Sequence, residues 1–282
     1  MEFRKAHGTG NDFVVLPDPE GALDLSDSLV RGLCDRRFGI GADGVLRVVR
    51  TAAAGERIPD ADGCEFFMDY RNADGSLAEM CGNGARVFAQ YLWQAGLAAP
   101  GLLRFGTRGG ARTALACDDG QVTVDMGVAE VGDDDAVRVL AADRWWPARP
   151  VHVPNPHAVV FVEDLADAGP LREPPGIEPV QFFPDGTNVE FVVAAAPDAI
   201  AMRVHERGSG ETMSCGTGAC AAAVAHLARL GPPSVEPVDV QVDVPGGTLR
   251  ATVRPDATVA LTGPTVTVAE GRVDDGWLEA MS

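Results

Sequence analysis

Two cysteines occupy the same unusual sequence setting, and their type and spacing suit acid–base chemistry. The segment CGNGA begins at Cys81 and the segment CGTGA begins at Cys215, and a helical pattern follows each of them. The unpaired backbone N–H groups at a helix N-terminus carry partial positive charge, which stabilises a thiolate. Glycine removes side-chain bulk there, so that a substrate carboxylate could approach the same N–H groups. We therefore predict that both cysteines are reactive.

A pair of thiols suits the inversion of a carbon atom without a cofactor. One thiolate can remove the proton α to a carboxylate, while the other thiol delivers a proton to the opposite face. The enediolate charge then develops on carboxylate oxygens that the backbone N–H groups already hold, where preorganised donors stabilise it most. Only one thiol should be ionised at a time, because two adjacent thiolates repel. The pattern therefore predicts an isomerase that acts next to a carboxylate.

Composition argues against several other kinds of chemistry. Among the 23 basic residues of the 282-residue chain, Lys5 is the one lysine, so a Schiff-base enzyme would depend on it alone. The net charge of −18 disfavours nucleic acid or an anionic membrane as a partner. No phosphate-binding loop with its lysine, no C-x-x-C and no H-E-x-x-H occurs in the sequence. We predict neither a metal ion nor a cofactor.

The same arithmetic indicates a globular protein of the cytoplasm. The chain is 46% hydrophobic, which is enough to bury a substantial core, and its longest apolar run, 219–225, is far too short for a membrane span. No apolar segment that could serve as a signal peptide follows the first residues. The cysteines at 34, 64, 117 and 220 have no duplicated context, and Cys220 is expected to face the core of its helix.

Short alternating stretches separated by Gly, Pro and Asp turns predict antiparallel strands. These stretches are 65–71, 121–126, 150–153, 199–205, 238–244, 249–254 and 259–262. Helices are predicted at 26–37 with Ser26 as the cap, at 83–95, at 219–229 and, as a short one, near 162–168. The pattern is α+β with more strand than helix.

The chain also repeats itself. An alternating strand ends nine residues before each cysteine of the pair, at Asn72 and at Glu206. The segment that begins at Asn11, NDFVV, is echoed by NVEFVV from Asn188. Two related halves are the simplest explanation, and the turn at 118–120 is the predicted boundary between them.

At these residues the chain resembles the diaminopimelate epimerases, which are cofactor-independent isomerases with two cysteines. The matching segments lie along nearly the whole chain, at 7–13, 72–76, 79–86, 155–157, 186–191, 206–212 and 215–218. The resemblance implies two similar, pseudo-symmetric α+β domains, each a curved, mainly antiparallel sheet around a central helix, with the active site in the interdomain cleft. It implies one lobe of residues 1–117 plus 265–282 that carries Cys81, and another of 118–264 that carries Cys215.

The resemblance also implies an activity and a role for each matched residue. The reaction is the interconversion of LL-2,6-diaminopimelate and meso-diaminopimelate, in lysine and cell-wall precursor biosynthesis, by a homodimer. For the LL-isomer, Cys215 would abstract the proton and Cys81 would donate one, with His157 and Glu206 tuning the thiols. The substrate-binding residues implied are Asn11, Asn72, Gly82, Asn83, Asn155, Asn188, Glu206, Arg207, Gly216 and Thr217.

Two positions depart from the family pattern. Gly44 stands where some members carry glutamine, so a side-chain contact with substrate is missing there, and Pro154 precedes Asn155 where a smaller residue is often found.

Three alternative functions remain open. A proline racemase or hydroxyproline epimerase shares the fold and the cysteine pair, but a cyclic imino acid has no distal zwitterion for Arg207 and the asparagines. A thiol hydrolase would use one cysteine with His157 as base, which leaves the second CGxG segment without a role. A ligand-binding redox sensor would join Cys81 and Cys215 in a reversible disulfide.

Overall fold

In the computed structural model, which describes residues 1–281, strands dominate and four α-helices interrupt them. The strands are β1 (Glu2–Gly8), β2 (Asn11–Pro17), β3 (Gly44–Arg50), β4 (Phe66–Asn72), β5 (Leu102–Thr107), β6 (Gly110–Ala116), β7 (Val122–Val128), β8 (Glu130–Val131), β9 (Val137–Ala141), β10 (Arg144–His152), β11 (Pro156–Phe161), β12 (Gly176–Glu178), β13 (Asn188–Ala196), β14 (Ala199–Glu206), β15 (Gly210–Thr212), β16 (Val238–Val244), β17 (Gly247–Val253), β18 (Thr258–Gly263) and β19 (Val266–Arg272). The helices are α1 (Asp27–Cys34), α2 (Gly82–Gln94), α3 (Gly216–Leu230) and α4 (Asp275–Met281).

The chain divides into two compact units. Unit 1 comprises Met1–Val124 with Pro264–Ser282, and unit 2 comprises Asp125–Gly263. In unit 1 the strands follow the order β19-β1-β2-β3-β4-β5-β6. Helix α2 packs against five of them, β1, β2, β3, β4 and β6. Its buried face includes Phe88 and Leu92, so this helix forms the centre of the unit.

Unit 2 has the corresponding arrangement around α3. Its main strand order is β10-β11-β13-β14-β16-β17-β18, and α3 packs against strands along this whole series. The helix has small residues, alanine above all, and eleven of its fifteen residues are buried. Small side chains let the surrounding strands approach the helix closely from several directions, which explains how it is enclosed on nearly all sides.

Strand pairing repeats in the two units in the same order and direction. The pairs β1–β2 and β10–β11 are antiparallel, β2–β3 and β11–β13 parallel, and β3–β4 and β13–β14 antiparallel. The register agrees as well, because the first residue of the parallel strand lies opposite Phe13 in unit 1 and opposite His157 in unit 2. These first residues are Gly44 and Asn188. Strand β2 therefore corresponds to β11, and β3 corresponds to β13.

This correspondence corrects one sequence comparison. The similarity of NDFVV and NVEFVV matched Asn11 with Asn188, but the pairing order makes Asn155 the counterpart of Asn11. Asn188 instead has Gly44 as its counterpart. The two motifs are alike because both are buried strands that begin with asparagine, and such short patterns do not define a position in a sheet.

The α+β class and the repeated domains are confirmed, and the element boundaries move by a few residues. Helix α1 ends at Cys34 rather than Arg37, because the Asp35 side chain accepts hydrogen bonds from the backbone N–H groups of Arg37 and Phe38, both at 2.7 Å. The short helix expected near 162–168 is a 3₁₀ helix, Leu165–Ala168. Within residues 1–281, no helix has the length and apolar character to cross a membrane.

Candidate active site

Cys81 and Cys215 have the same local geometry at the start of α2 and α3. Each is the N-cap residue of its helix, with extended backbone angles. Each sulfur accepts a hydrogen bond from a backbone N–H of the first turn, at 3.4 Å from Gly84 N to Cys81 Sγ and at 3.3 Å from Gly218 N to Cys215 Sγ. The expected placement of both thiols at helix N-termini is confirmed.

In unit 1, three side chains meet around the sulfur of Cys81. Asn11 Oδ1 accepts a hydrogen bond from Cys81 Sγ at 3.6 Å and from Asn83 Nδ2 at 3.2 Å. The other end of the same amide, Asn11 Nδ2, donates to Asp43 Oδ2 at 2.8 Å. Because the carboxylate of Asp43 can only accept, it fixes which end of the Asn11 amide faces the thiol.

Asp43 belongs to a network of charges behind Asn11. The guanidinium of Arg36 donates to Asp43 at 2.7 Å and to both carboxylate oxygens of Asp12, and Lys5 donates to Asp12 and to the carbonyl oxygen of Gly41. Burial raises the pKa of Asp12, but its hydrogen bonds with Arg36 and Lys5 outweigh that effect and hold the pKa well below its usual range. The network anchors the 39–44 loop beside the amide that contacts Cys81.

In unit 2 the sulfur of Cys215 lies in an acidic, buried environment. Its thiol hydrogen-bonds the carboxylate of Glu206, which also accepts a hydrogen bond from Thr212. Thr217 Oγ1 lies 3.4 Å from Cys215 Sγ. Burial raises the pKa of Cys215 well above its ordinary value, and the negative charges of Glu206 and Glu190 raise it further. Burial likewise raises the pKa of Glu206.

The prediction of a stabilised thiolate is therefore wrong for Cys215 in this structure. The helix N-terminus acts in the predicted direction, since the backbone N–H of Gly218 lowers the thiol pKa, but burial and two carboxylates outweigh it. The sequence did not predict this result, because it does not show which carboxylates the fold brings close to the sulfur.

His157 is completely buried and contacts an acidic residue that the sequence reasoning did not single out. Its Nδ1 lies 2.7 Å from Glu190 Oε1 and its Nε2 lies 2.8 Å from Asn155 Oδ1. Glu190 is buried as fully as the histidine, and its second oxygen, Oε2, has no hydrogen-bond partner among the described residues. The signal in the sequence was an acidic residue at a core position of the apolar strand NVEFVV.

The remaining residues implied by the family resemblance take three kinds of position. Gly82, Asn83, Gly216 and Thr217 form the first turns of α2 and α3. Asn188 Oδ1 accepts the backbone N–H of Arg207 at 2.9 Å, and the exposed guanidinium of Arg207 donates to the carbonyl oxygen of Asp185 at 3.0 Å. Asn72 ends β4, and its side-chain amide donates a hydrogen bond to Ser76 Oγ at 3.0 Å.

Two further residues near the sulfurs were missed. Asp43 lies in the GIGADG loop, and Thr212 precedes Cys215 by three residues. Their contacts depend on partners 32 and 6 residues away, so spacing alone does not reveal them. Among residues 1–281, no group of three or more His, Cys, Asp or Glu side chains is arranged to hold a metal ion.

Comparison with known proteins gives a single family. The model of the family described as "Diaminopimelate epimerase" matches residues 3–132 and 150–268. The diaminopimelate epimerase of Streptomyces coelicolor is 56% identical over 100% of this chain and 98% of its own length. That of Thermobifida fusca is 48% identical over 97% of this chain and 98% of its own length.

Solved structures share the fold at low sequence identity. A phenazine biosynthesis protein of Bacillus anthracis has a TM-score of 0.73 at 15% identity and covers 97% of this chain and 99% of its own. A probable proline racemase of Agrobacterium radiobacter, with bound carbonate, has a TM-score of 0.68 at 16% identity and covers 97% of this chain and 93% of its own. These likenesses concern the fold alone.

Proposed function

The chain belongs to the diaminopimelate epimerase family, and from this premise we propose that it interconverts LL- and meso-diaminopimelate with Cys81 and Cys215 as its acid–base pair. The observation that carries the proposal is the duplicated thiol at a helix N-terminus, with one copy in each of two units of the same strand register. Two bases suit the inversion of a carbon without a cofactor, because one can take the proton from one face while the other returns a proton to the opposite face.

The two thiols have different starting states, and these suit different roles. Cys215 hydrogen-bonds Glu206, and burial raises the pKa of that carboxyl, so that Glu206 is a stronger base for the thiol proton than an exposed carboxylate would be. This transfer leaves a Cys215 thiolate and a neutral Glu206. The thiolate then takes the α-proton of LL-diaminopimelate. Cys81, whose thiol donates to Asn11 Oδ1, returns a proton to the opposite face.

The first turns of both helices supply the electrostatic stabilisation. Backbone N–H groups at Gly82 and Asn83, and at Gly216 and Thr217, would hold the reacting carboxylate and the negative charge that develops on it. At the distal end of the substrate, Arg207 suits the second carboxylate, because its planar guanidinium binds carboxylates through two parallel hydrogen bonds. Asn72, Asn155 and Asn188 supply amide donors and acceptors for the ammonium and carboxylate groups.

Incubation of the purified protein with LL-diaminopimelate in deuterated water tests the proposal. Newly formed meso-isomer should carry deuterium at the inverted carbon, while unreacted LL-isomer sampled early should carry none. Equal early labelling of both pools would indicate one base rather than two. Proline and hydroxyproline serve as control substrates, and turnover of either in place of diaminopimelate would assign the chain to the alternative reaction.

We also propose that the protein is a homodimer and works in the cytoplasm, as its place in lysine biosynthesis requires. Strand β19 supports self-association, since all seven of its residues are exposed, with Val266 and Val268 among them. It pairs with β1 along one edge, and edge strands of this kind are templates for pairing with a second chain. Sedimentation equilibrium checks this, and a monomer at micromolar concentration would contradict it.

A further inference from the structure

The side chains packed beneath the two cysteines differ between the units, although the strands that carry them have the same register. In unit 1, a Cβ added to Gly84 would lie 3.3 Å from Leu46 Cδ2 and 3.5 Å from Phe13 Cζ. In unit 2, a Cβ added to Gly218 would lie 2.7 Å from Glu190 Oε1. The first turn of α2 therefore packs on an apolar surface, whereas the first turn of α3 packs on a carboxylate.

The register shows that these positions are equivalent. Phe13 on β2 and His157 on β11 each stand opposite the first residue of the next, parallel strand. Leu46 on β3 and Glu190 on β13 are each the third residue of that parallel strand. The pair Phe13–Leu46 in unit 1 thus corresponds to the pair His157–Glu190 in unit 2.

The apolar pair shows that the fold does not need charged groups at this place. All four side chains, of Phe13, Leu46, His157 and Glu190, are 0% exposed. Burying an ion pair carries a desolvation cost, and well-packed apolar side chains of similar volume stabilise a core at least as well. Packing therefore does not explain why unit 2 has a histidine and a glutamate here.

The contacts of the imidazole indicate its protonation state. One ring nitrogen of His157 faces Glu190 Oε1 at 2.7 Å and the other faces Asn155 Oδ1 at 2.8 Å. Both contacts are hydrogen bonds when both ring nitrogens carry hydrogen, which is the imidazolium form. Glu190 Oε2 is buried with no hydrogen-bond partner among the described residues, so this carboxylate depends on the imidazolium for charge compensation.

The other groups around the pair are few. Strand β10 places Val151 opposite the histidine, and β14 places Val204 opposite the glutamate, so neither brings a charge. The titratable groups that interact with the pair are Glu206 at the end of β14 and Cys215 at the start of α3. In the imidazolium form, His157 would be the positive charge in a half-site that otherwise holds two acids and a thiol.

From this asymmetry we propose that Glu190 is a positioning residue of the reaction, which holds the ring of His157 in place and keeps it protonated. The inference rests on the proposed function, in which His157 tunes a thiol and Asn155 binds substrate. A fixed imidazolium stabilises the negative charge that appears when Cys215 gives up its proton. When substrate takes the amide of Asn155, the N–H of the His157 Nε2 becomes available to the bound carboxylate.

Two substitutions separate the charge of Glu190 from its geometry. Glu190→Gln keeps an oxygen acceptor for the imidazole but removes the charge, and Glu190→Leu removes both and copies unit 1. We expect kcat to fall about 10- to 100-fold in Glu190→Leu and to fall less in Glu190→Gln, as for other residues that orient a catalytic group without touching the substrate. KM should change less than about threefold in both variants. Glu211→Gln, which removes a carboxylate paired with Arg203 on the surface, is the matched control and should behave as wild type.

A second set of measurements does not depend on the substrate. Nitrogen-15 NMR of His157 should show both ring nitrogens protonated at neutral pH in the wild type, and loss of one proton at lower pH in Glu190→Gln. The double variant His157→Phe/Glu190→Leu, which installs the apolar pair of unit 1, should fold with undiminished thermal stability and lack epimerase activity. A neutral His157 in the wild type, or wild-type kcat in Glu190→Leu, would overturn the inference. If the wild type turned over no diaminopimelate, the proposed function would fail. The NMR result would still show whether Glu190 holds His157 in its protonated form.

Discussion

The two cysteine sites share a backbone and differ in what surrounds the sulfur. Cys81 is partly exposed and contacts a neutral amide, Asn11, whose orientation is set by a network of surface charges. Cys215 is buried and hydrogen-bonds a carboxylate, Glu206. The comparison teaches that the helix N-terminus, common to both, does not by itself determine the ionisation of a thiol. For Cys215, burial and the two neighbouring carboxylates outweigh it.

The difference extends to the layer below the sulfur. Phe13 and Leu46 fill this layer in unit 1, and His157 and Glu190 fill it in unit 2. Exchanging a buried ion pair for apolar residues is commonly neutral or stabilising by about 1–4 kcal/mol, so unit 1 has the arrangement that packing favours. Unit 2 departs from it at the place where the proposed reaction begins.

Removal of either thiol should have the largest effect on activity. We expect Cys81→Ala and Cys215→Ala each to lower kcat by more than about 10⁴-fold, because neither half of the proton exchange can replace the other. Cys220→Ala is the matched control: Cys220 is buried five residues into α3, and the variant should keep most activity. Chiral chromatography of the isomers measures all three. A strong loss in Cys220→Ala with a mild loss in Cys215→Ala would reverse the assignment.

The glycines of the first helical turn test the layer below each sulfur. Gly218→Ala would bring a Cβ to 2.7 Å from Glu190 Oε1, which is held by His157, so we expect a loss of stability of about 1–3 kcal/mol and at least a tenfold fall in kcat. Gly84→Ala brings its Cβ no closer than 3.3 Å to Leu46, and its better helix propensity of about 1 kcal/mol offsets the contact. Thermal unfolding measures the loss of stability in the two variants. Equal losses would contradict the difference between the side chains packed against Gly84 and those packed against Gly218.

Asp43 tests the amide network of unit 1. In Asp43→Asn the single amide oxygen can still serve Asn11 Nδ2 and the backbone N–H of Asp12, which share Asp43 Oδ2, but an NH2 group replaces Oδ1 and the charge-assisted hydrogen bond from Arg36 is lost. We expect kcat/KM to fall about tenfold, since loss of one hydrogen bond to a charged group costs about 1.5 kcal/mol. The alkylation rate of Cys215, read by peptide mass spectrometry, should stay unchanged. A change there would show that the effect is not confined to the Cys81 site.

The smallest effect concerns stability and pH. Burial raises the pKa of Glu206 in the folded protein, so the folded state binds this proton more tightly than the unfolded state does. The group therefore contributes stability at low pH, and the contribution is lost as pH rises through the folded pKa. Glu206→Gln does not titrate, so its Tm relative to wild type should increase from acidic to neutral pH. A constant difference in Tm across that range would contradict the burial of this carboxylate.

The sequence predicts the parts of the molecule that depend on local patterns. The helix starts at Cys81 and Cys215 and the strand ends at Asn72 and Glu206 follow from turn chemistry and alternation, and they lie where the patterns place them. The duplicated CGxG segments also led to the proposal that cysteine is the acid–base residue, because few other roles need a cysteine between a strand and a helix start.

Contacts made through strand register could not be predicted in the same way. Glu190 meets His157, 33 residues away, because β13 and β11 pair in parallel with a particular offset that no single segment encodes. The raised pKa of Cys215 has a similar origin, since the fold buries the sulfur and brings Glu190 on β13 and Glu206 on β14 to it. The match of Asn11 with Asn188 failed because similar pentapeptides occur in different strands of the repeat.

The antiparallel pairing of β19 with β1 has a consequence for the order in which the protein can form. Val266–Arg272 leaves the ribosome after all of Asp125–Gly263, although it pairs with β1. At a synthesis rate of about 5–20 residues per second, the N-terminal strand waits many seconds for its partner while the contiguous unit can already fold. A chain that stops before Val266, once released from the ribosome, should therefore protect Cys215 from alkylation while leaving the β1 edge open to proteases and to other chains.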